Sequence, residues 1–490
     1  MNLAQHVLTA GLSCPDKLAL SVIGPMRAEQ WSFRRLTQAV RGTATGLLHA
    51  GLRPGDRLLM RLGNRPSFPI TYLGAIAAGI IPVPTSAQLT GPEISRLAAQ
   101  IGPAMIVAGP GVALPDHSAP VLTEEALQTF LDMPPAEFIQ GDPDRLAYIV
   151  FTSGSSGQPR AVMHAHRAIL ARRMMFDGWY GMTATDRLLH AGAFNWTFTL
   201  GTGLMDPWTL GATALIPAEG TSPEQIPLLA SRHGGTILAG APGIFRRLLR
   251  ADWGPIPTLR HALVAGERLD PALRHAWTHR TGTDLHEAMG ASEISTFLSG
   301  SPDRPAPHGT AGFPQPGRHV SILDQAGRPV PAGAAGDLAV RRDDPGLFLG
   351  YLDQPQDTAA RFRGDWFLTG DRAVADDQGA IALLGRGDDM MNAGGFRVAP
   401  PEIEDVLAAH PQAGEVAAVE LPVGPGTSVI AAFWTGPADP PSLRALAEAQ
   451  LARYKQPRAY IRLDALPRTP TGKINRRALR EAHRKDRPCP

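Results

Sequence analysis

Phe151-Thr152-Ser153-Gly154-Ser155-Ser156-Gly157-Gln158-Pro159-Arg160 is the stretch on which the reading of this chain turns. It follows Leu146-Ala147-Tyr148-Ile149-Val150, a short apolar and β-branched run that reads as a buried strand. It precedes Met163 to Met175, where the apolar residues carry helical spacing. The expectation is a glycine-rich loop between a strand and a helix. Its glycines let backbone N–H groups close around an anion, its hydroxyls add donors, and Arg160 supplies fixed positive charge, so the stretch points to a polyphosphate. It is not a Walker loop, because Pro159 stands five residues after Gly154 and no Gly-Lys-Ser/Thr follows. Taken alone it could also be a Ser/Gly surface loop.

Working outward, Ser32 reads as an N-cap with Leu36, Val40, Ala44 and Leu47 at helical spacing behind it and Gly51 as the stop. The turn Arg53-Pro54-Gly55-Asp56 feeds a strand at 58–62; Ser67 to Ala78 reads as a second helix with Ser67 as its N-cap, and 80–84 as a second strand. Apolar runs recur at 104–107, at the strand before the glycine-rich loop, and at 212–216, 235–239 and 262–264, with helical or loop segments between them. This is α/β alternation, which predicts parallel sheet covered on both faces. No repeat of solenoid length interrupts it. After about Arg304 short alternating runs such as 319–323 and 337–340 predict an antiparallel β subdomain. A polar joint, Gly385-Arg386-Gly387-Asp388-Asp389, precedes a compact α+β pattern: helix at 401–409, strands at 415–421 and 428–434 around Gly424-Pro425-Gly426, and helix at 442–452. The expected division is 1–387, a large α/β unit with parallel sheets and a β subdomain, and 388–490, a small α+β unit.

Composition narrows the class. With 490 residues, 43% hydrophobic, 19% charged and a net charge of +2, the chain is ordinary globular material with no reason to bind nucleic acid or a membrane surface. Its two cysteines, Cys14 and Cys489, cannot build a disulfide framework or a metal cluster, which fits a reducing compartment. No charged-then-apolar leader opens the sequence, and the longest apolar stretch, 72–83, is short and broken by Pro82. A soluble cytoplasmic protein is the expectation. Only Lys17, Lys455, Lys473 and Lys485 among the 47 basic residues are lysines.

Five further stretches each have a dull explanation alone: Met289-Gly290-Ala291-Ser292-Glu293, Phe367-Leu368-Thr369-Gly370-Asp371, Gly394-Gly395-Phe396-Arg397-Val398, Pro400-Pro401-Glu402-Ile403-Glu404 and Pro470-Thr471-Gly472-Lys473. In this order, behind the loop at Thr152, they closely resemble the adenylate-forming superfamily of acyl-CoA synthetases, adenylation domains and luciferases. The resemblance runs from about Trp31 to Leu479. It implies a large N-terminal domain, a small C-terminal domain that rotates, and an active site between them. It also implies a chemistry in which a carboxylate attacks the α-phosphate of ATP, releases pyrophosphate, and passes its acyl group to a thiol.

By the same resemblance, Thr152, Ser153, Gly154, Ser155, Ser156, Gly157 and Arg160 hold the β- and γ-phosphates, and Glu293 helps bind Mg²⁺. Asp371 takes the ribose hydroxyls, Arg386 lies near ribose and phosphates, and Gly266, Glu267, Met289 and Gly290 wall the adenine, with Ser292 in the same motif. Lys473 corresponds to the adenylation lysine, Gly394 and Gly395 lie along the path of the thiol, and Asp388 is the pivot. A lysine at 473 is informative in a chain whose basic residues are nearly all arginine, since it suggests a need for a compact mobile ammonium. Three positions depart from the superfamily pattern: Arg160-Ala161 stands for a Lys-Gly pair, Met289 for an aromatic, and Asn392 for a lysine. Met289 is expected to pack against adenine through its thioether.

Ala193-Phe194-Asn195-Trp196-Thr197-Phe198 falls where the superfamily lines its acyl pocket. Members that activate amino acids carry an aspartate at the position of Asn195; asparagine there is similar to enzymes for hydroxylated aryl acids, and the run from Tyr351 to Asp371 is similar to benzoate-type and medium-chain CoA ligases. A neutral pocket with an indole wall at Trp196 suits an aryl or short apolar acid, although Trp196 could equally be core. Three readings follow: a carboxylate–CoA ligase using ATP, Mg²⁺ and CoA, which is preferred; a stand-alone adenylation enzyme loading a carrier protein on another chain; and a non-catalytic nucleotide-binding protein. Glu293, Asp371 and Lys473 weigh against the last.

Overall fold

Apolar runs too short for helices pair here into parallel sheet, because residues buried on both faces need no polar alternation. The computed structural model describes residues 1–153, 159–266, 269, 271–386, 390–393, 396–424, 427–468 and 474–483. Its largest sheet has nine strands. Six of them run parallel in the order Leu18–Ile23, Thr213–Pro217, Arg187–His190, Ile237–Gly240, His261–Ala265 and Asp284–Ala291. Antiparallel strands close both edges: Ala28–Ser32 on one side, Ser295–Ser299 and Phe313–Pro314 on the other. A second parallel sheet has four strands, ordered Ile81–Pro84, Arg57–Arg61, Met105–Ala108 and Val121–Thr123. The α/β alternation therefore builds two parallel sheets, not one.

The helix after Ser32 is as expected. It spans Phe33–His49, Ser32 Oγ accepts from the Arg35 N–H at 3.2 Å, and Leu36, Val40, Ala44 and Leu47 are fully buried. Gly51 follows at φ +100°, a conformation that only glycine adopts freely. The next helix, Ser67–Ala77, has Pro66 at its N-cap, so Ser67 does not cap it; the Ser67 hydroxyl instead donates to the buried Glu124 carboxylate.

The glycine-rich stretch is placed differently from its expectation. Leu146–Ser153 joins neither parallel sheet: it pairs antiparallel with Pro159–Ala165, Val150 opposite Val162 and Thr152 opposite Arg160, and Gly350–Tyr351 completes a three-stranded sheet. The stretch thus links two strands of a hairpin. The helix begins only at Ala168 and ends at Arg172, and Met163 lies in the strand. Over so few residues a 3.6-residue spacing cannot be told from pairing in an extended strand, and contact with Tyr148 and Ile149 decides it.

Beyond Arg304 the antiparallel subdomain is present, with Val320–Leu323, Ala335–Arg341, Trp366–Ala375, Phe362–Arg363 and Ile381–Arg386 around Ile322, Leu338, Val340 and Phe367. From Met391 on, a separate core forms from Ile403, Leu407, Val416, Ile430, Trp434 and Leu443. There Val416–Gly424 pairs antiparallel with Thr427–Trp434, Ala459–Arg462 adds a parallel third strand, and Pro400–Ala408, Pro440–Gln450 and Arg476–His483 are the helices. The fold is a large α/β unit with parallel sheets and a β subdomain, joined to a small α+β unit. The boundary expected between 387 and 388 falls on Gly387, Asp388 and Asp389, outside the described residues, as do Pro425 and Gly426. Among the described residues no helix is long and apolar enough to cross a membrane.

Four buried histidines stay neutral in this fold. Burial pushes His164 and His166 down to about 4 and His190 and His286 down to about 3. The hydrogen bonds agree, since His166 Nδ1 accepts from the Leu3 N–H at 3.0 Å. An unfolded histidine takes up its proton near pH 6.5, so between about 6.5 and 4 the unfolded chain binds more protons and stability falls as pH falls. The urea midpoint is therefore expected to drop from pH 7 to pH 5, and His190→Leu should reduce the dependence by about one proton. Equal midpoints at the two pH values would contradict neutral burial.

Candidate active site

Strands joined by crossovers over the sheet faces all end at the same edge, and the loops that leave that edge line a crevice. Ser86 follows Ile81–Pro84, Asn195 follows Arg187–His190, Gly266 follows His261–Ala265, and Gly290 to Ser292 close Asp284–Ala291; all of them line one cavity. Thr152, at the end of the hairpin strand, lines it too. Gly266 holds φ +97°. A Cβ on Gly290 would run into the Ser295 carbonyl, so that wall can stand close only as glycine.

Behind the Thr152 side of this wall the charges are organised by Tyr351. Its hydroxyl donates to Glu293 Oε1 at 2.7 Å, and the Arg160 guanidinium sits over its ring at 5.0 Å while pairing with Asp357 at 3.4 Å. Burial and the adjacent Glu293 carboxylate hold the Tyr351 hydroxyl well above the usual phenol range, so it remains a donor. Glu293 is 5% exposed, and its Oε2 is buried without a partner among the described residues. A buried carboxylate oxygen with nothing to accept from fits a hard cation held mainly by other oxygens. The main chain of the same motif is fixed by His164, whose Nε2 donates to the Ser292 carbonyl at 2.8 Å.

At another end of the cavity lie Arg172, Thr202, Ser295 and Thr296. Arg172 and Asp206 form a bidentate pair, Nε to Oδ1 at 2.7 Å and Nη2 to Oδ2 at 2.6 Å, with Asp206 fully buried. Burial opposes the arginine's charge, but Asp206 outweighs it and keeps the guanidinium protonated. Gly201 makes room, since a Cβ there would overlap the guanidinium. Asn195 lines the cavity beside Trp196, which is half-buried and meets Phe198 edge-on at 5.2 Å. Trp196 is thus cavity wall and not simply core.

The small unit closes the opposite side. Phe396 stacks on Trp196 at 5.9 Å and on Tyr454 at 4.2 Å. Beside them Lys455 Nζ bridges Glu93 at 3.0 Å and Glu402 at 2.9 Å, all three buried, one carboxylate from each unit. Burial works against the ammonium, and the neighbouring Tyr454, Glu402 and Glu93 more than offset it, holding its pKa above the usual lysine value.

The structure thus brings Thr152, Gly266, Gly290, Ser292, Asn195 and Trp196 onto one cavity, with Glu293 and Arg160 one layer behind. Met289 is half-buried and packs against the core that holds Ile294, Phe297 and Leu338, while Gly290 lines the cavity. Asp371 stands in register with Arg386 on adjoining strands. Gly154, Ser155, Ser156, Gly157, Glu267, Asp388, Gly394, Gly395 and Lys473 lie outside the described residues, as do the side chains of Ser153 and Arg386. The residues at Arg172, Ser295, Phe396, Tyr454 and Lys455 were missed by sequence reading. A signal existed for Lys455, as one of four lysines in the chain, and for Phe396, which stands inside the Gly394–Val398 motif.

Residues 9–352 match the AMP-binding enzyme family and residues 402–473 the AMP-binding enzyme C-terminal domain. The chain is 29% identical to the human mitochondrial acyl-coenzyme A synthetase ACSM2A, over 96% of this chain and 88% of that one. It is 30% identical to the 3-hydroxybenzoate–CoA/4-hydroxybenzoate–CoA ligase of Thauera aromatica, over 92% and 91%. The o-succinylbenzoate CoA synthetase of Bacillus subtilis shares the fold, with a TM-score of 0.86 at 21% identity over 97% of this chain and 98% of that one.

Lys455→Met leaves two buried carboxylates facing each other without a cation, a change that costs about 3–5 kcal/mol in buried pairs. It should loosen the contact between the units, read as faster amide exchange in peptides covering 396–404 and 449–455. Exchange unchanged from the parent would show that the bridge contributes nothing to closure.

Proposed function

The chain belongs to the AMP-binding enzyme family of the adenylate-forming superfamily, and from that premise we propose that it is an AMP-forming carboxylate–CoA ligase for an aryl or short- to medium-chain apolar acid. The observation that carries this is the single cavity shared by Thr152, the glycine wall at Gly266 and Gly290, and the neutral Asn195–Trp196 face. Phosphate, adenosine and acid can meet there.

In the proposed reaction a carboxylate oxygen of the acid attacks the α-phosphorus of ATP, the bond to the bridging oxygen of the β-phosphate breaks, and pyrophosphate leaves. The CoA sulfur then attacks the acyl carbonyl and AMP departs with the electrons of the broken C–O bond. The loop from Thr152 to Arg160 cradles the phosphates being expelled, with Arg160 as a charge held in place by Asp357 and Tyr351. Glu293, oriented by Tyr351, would hold Mg²⁺ through its second oxygen, and the ion would neutralise phosphate charge. Asp371 would receive the ribose hydroxyls, and Arg386, its register partner on the adjoining strand, is assigned to ribose and phosphate by the superfamily resemblance. Lys473 bridges the acid and the α-phosphate; Gly394 and Gly395 leave room for the thiol after residues 388–490 turn about Asp388. Asn195 sets the substrate class, since a free amino acid would bury an ammonium without a counter-charge.

The test is acid-dependent pyrophosphate release across a panel of acids, with and without CoA. Benzoate-like and short to medium acids should be turned over with CoA, palmitate poorly and amino acids not at all. A panel led by palmitate or by an amino acid would overturn the reading of the pocket. Lys473→Ala should abolish adenylate formation by at least 100-fold, yet still transfer a pre-made acyl-adenylate to CoA. Equal loss of both half-reactions would refute that role. Arg160→Ala should chiefly raise the KM for ATP, with Arg160→Lys mild; an unchanged KM in the alanine variant would place the charge out of reach of phosphate.

A further inference from the structure

Where Arg172, Thr202 and Ser295 line the cavity, hydrogen-bond donors outnumber acceptors among the described residues. Arg172 has five N–H groups. Nε and Nη2 serve Asp206, Nη2 also leans toward Tyr180 Oη and Thr202 Oγ1 at 3.4 Å each, and Nη1 donates to Ser295 Oγ at 2.8 Å. The Tyr180 hydroxyl donates to Asp206 at 2.6 Å, so the 2.9 Å contact between Tyr180 and Thr202 uses the threonine's hydrogen. Two hydrogens remain without an acceptor among the described residues: the second on Arg172 Nη1 and the hydroxyl hydrogen of Ser295, which already accepts from Arg172. Both side chains line the cavity.

Two further features show that this end is built for a purpose. Ser295 is held at φ +68°, a left-handed conformation that residues with a Cβ rarely adopt and that tends to persist at binding sites. Its charge is also balanced: the Arg172 cation is matched by Asp206, and the walls contributed by Trp196 and Phe198 are aromatic. Donors in excess without net charge ask for an acceptor that brings no charge. A second carboxylate would arrive uncompensated in a buried place, whereas a hydroxyl, keto or ether oxygen would not.

Resting on the carboxylate–CoA ligase reading of this site, we infer that the acid carries a neutral oxygen at the end remote from its carboxyl group, received by Ser295 Oγ and Arg172 Nη1. The substrate is then a hydroxy-, oxo- or alkoxy-substituted monocarboxylic acid with an otherwise apolar body. Ser295 and Arg172 are the specificity-determining residues, and Asp206 fixes Arg172 in place.

The experiment compares matched acids in acid-dependent pyrophosphate release: 4-hydroxybenzoate, 3-hydroxybenzoate, 4-methylbenzoate, benzoate and terephthalate, with 6-hydroxyhexanoate against hexanoate. At least one oxygen-bearing acid should exceed its apolar counterpart tenfold or more in kcat/KM, mainly through KM, and terephthalate should fall below benzoate. Ser295→Gly removes the hydroxyl while suiting the left-handed backbone, so the variant should fold, and it should cut the ratio between the matched acids to within about threefold. Apolar acids used as well as their oxygenated partners, a dicarboxylate used best, or a ratio that survives Ser295→Gly would each overturn this inference while leaving the ligase reading standing. Absence of pyrophosphate release with every acid tested would overturn both.

Discussion

Parallel pairing is the constraint from which the rest of this structure follows. A strand that must lie parallel to the one before it can be reached only by a crossover, so every carboxyl end emerges along one edge of its sheet. In this chain two such sheets deliver Ser86, Asn195, Gly266 and the Gly290–Ser292 turn to one crevice, although they lie far apart in sequence. The hairpin Leu146–Ser153 and Pro159–Ala165 is set into that crevice and carries Thr152 to it.

Most ion pairs of this chain lie at the surface, but a few are out of water. Arg172 with Asp206, Arg318 with Asp344, and Lys455 with Glu93 and Glu402 are all buried. Such pairs add little net stability, because desolvation offsets their attraction, but each admits few alternative geometries. They sit at places where geometry matters: the cavity lining at Arg172, the turn at Gly346, and the seam between the large and small units. The seam also carries the ring stack from Trp196 through Phe396 to Tyr454, so a wall of the cavity depends on the position of the small unit.

The ordered motifs and the α/β alternation were legible in the residues because they are local: a cap, a glycine at a turn, an apolar run of strand length. Misreadings arose where a local pattern had two solutions. Met163 to Met175 satisfies a helical spacing, yet its first residues gain more by pairing with Tyr148 and Ile149. Ser67 could cap a helix, yet the Glu124 carboxylate 57 residues away claims its hydroxyl. In each case a partner distant in sequence won.

The sequence by itself determined the class of fold, the order of the motifs and the chemistry those motifs are suited to, since these rest on residue type and short-range spacing. Tertiary structure alone decided which polar groups face the cavity with their hydrogen-bonding capacity unused. Arg172, Ser295 and the second oxygen of Glu293 are ordinary residues in the linear chain. Their meaning depends on whether a partner more than a hundred residues away, or none, meets each donor and acceptor, as Ser295 meets Arg172 while Glu293 Oε2 stays open. That is settled only when the chain is packed and water is excluded, because an unmet hydrogen bond has little consequence in water and a large one inside.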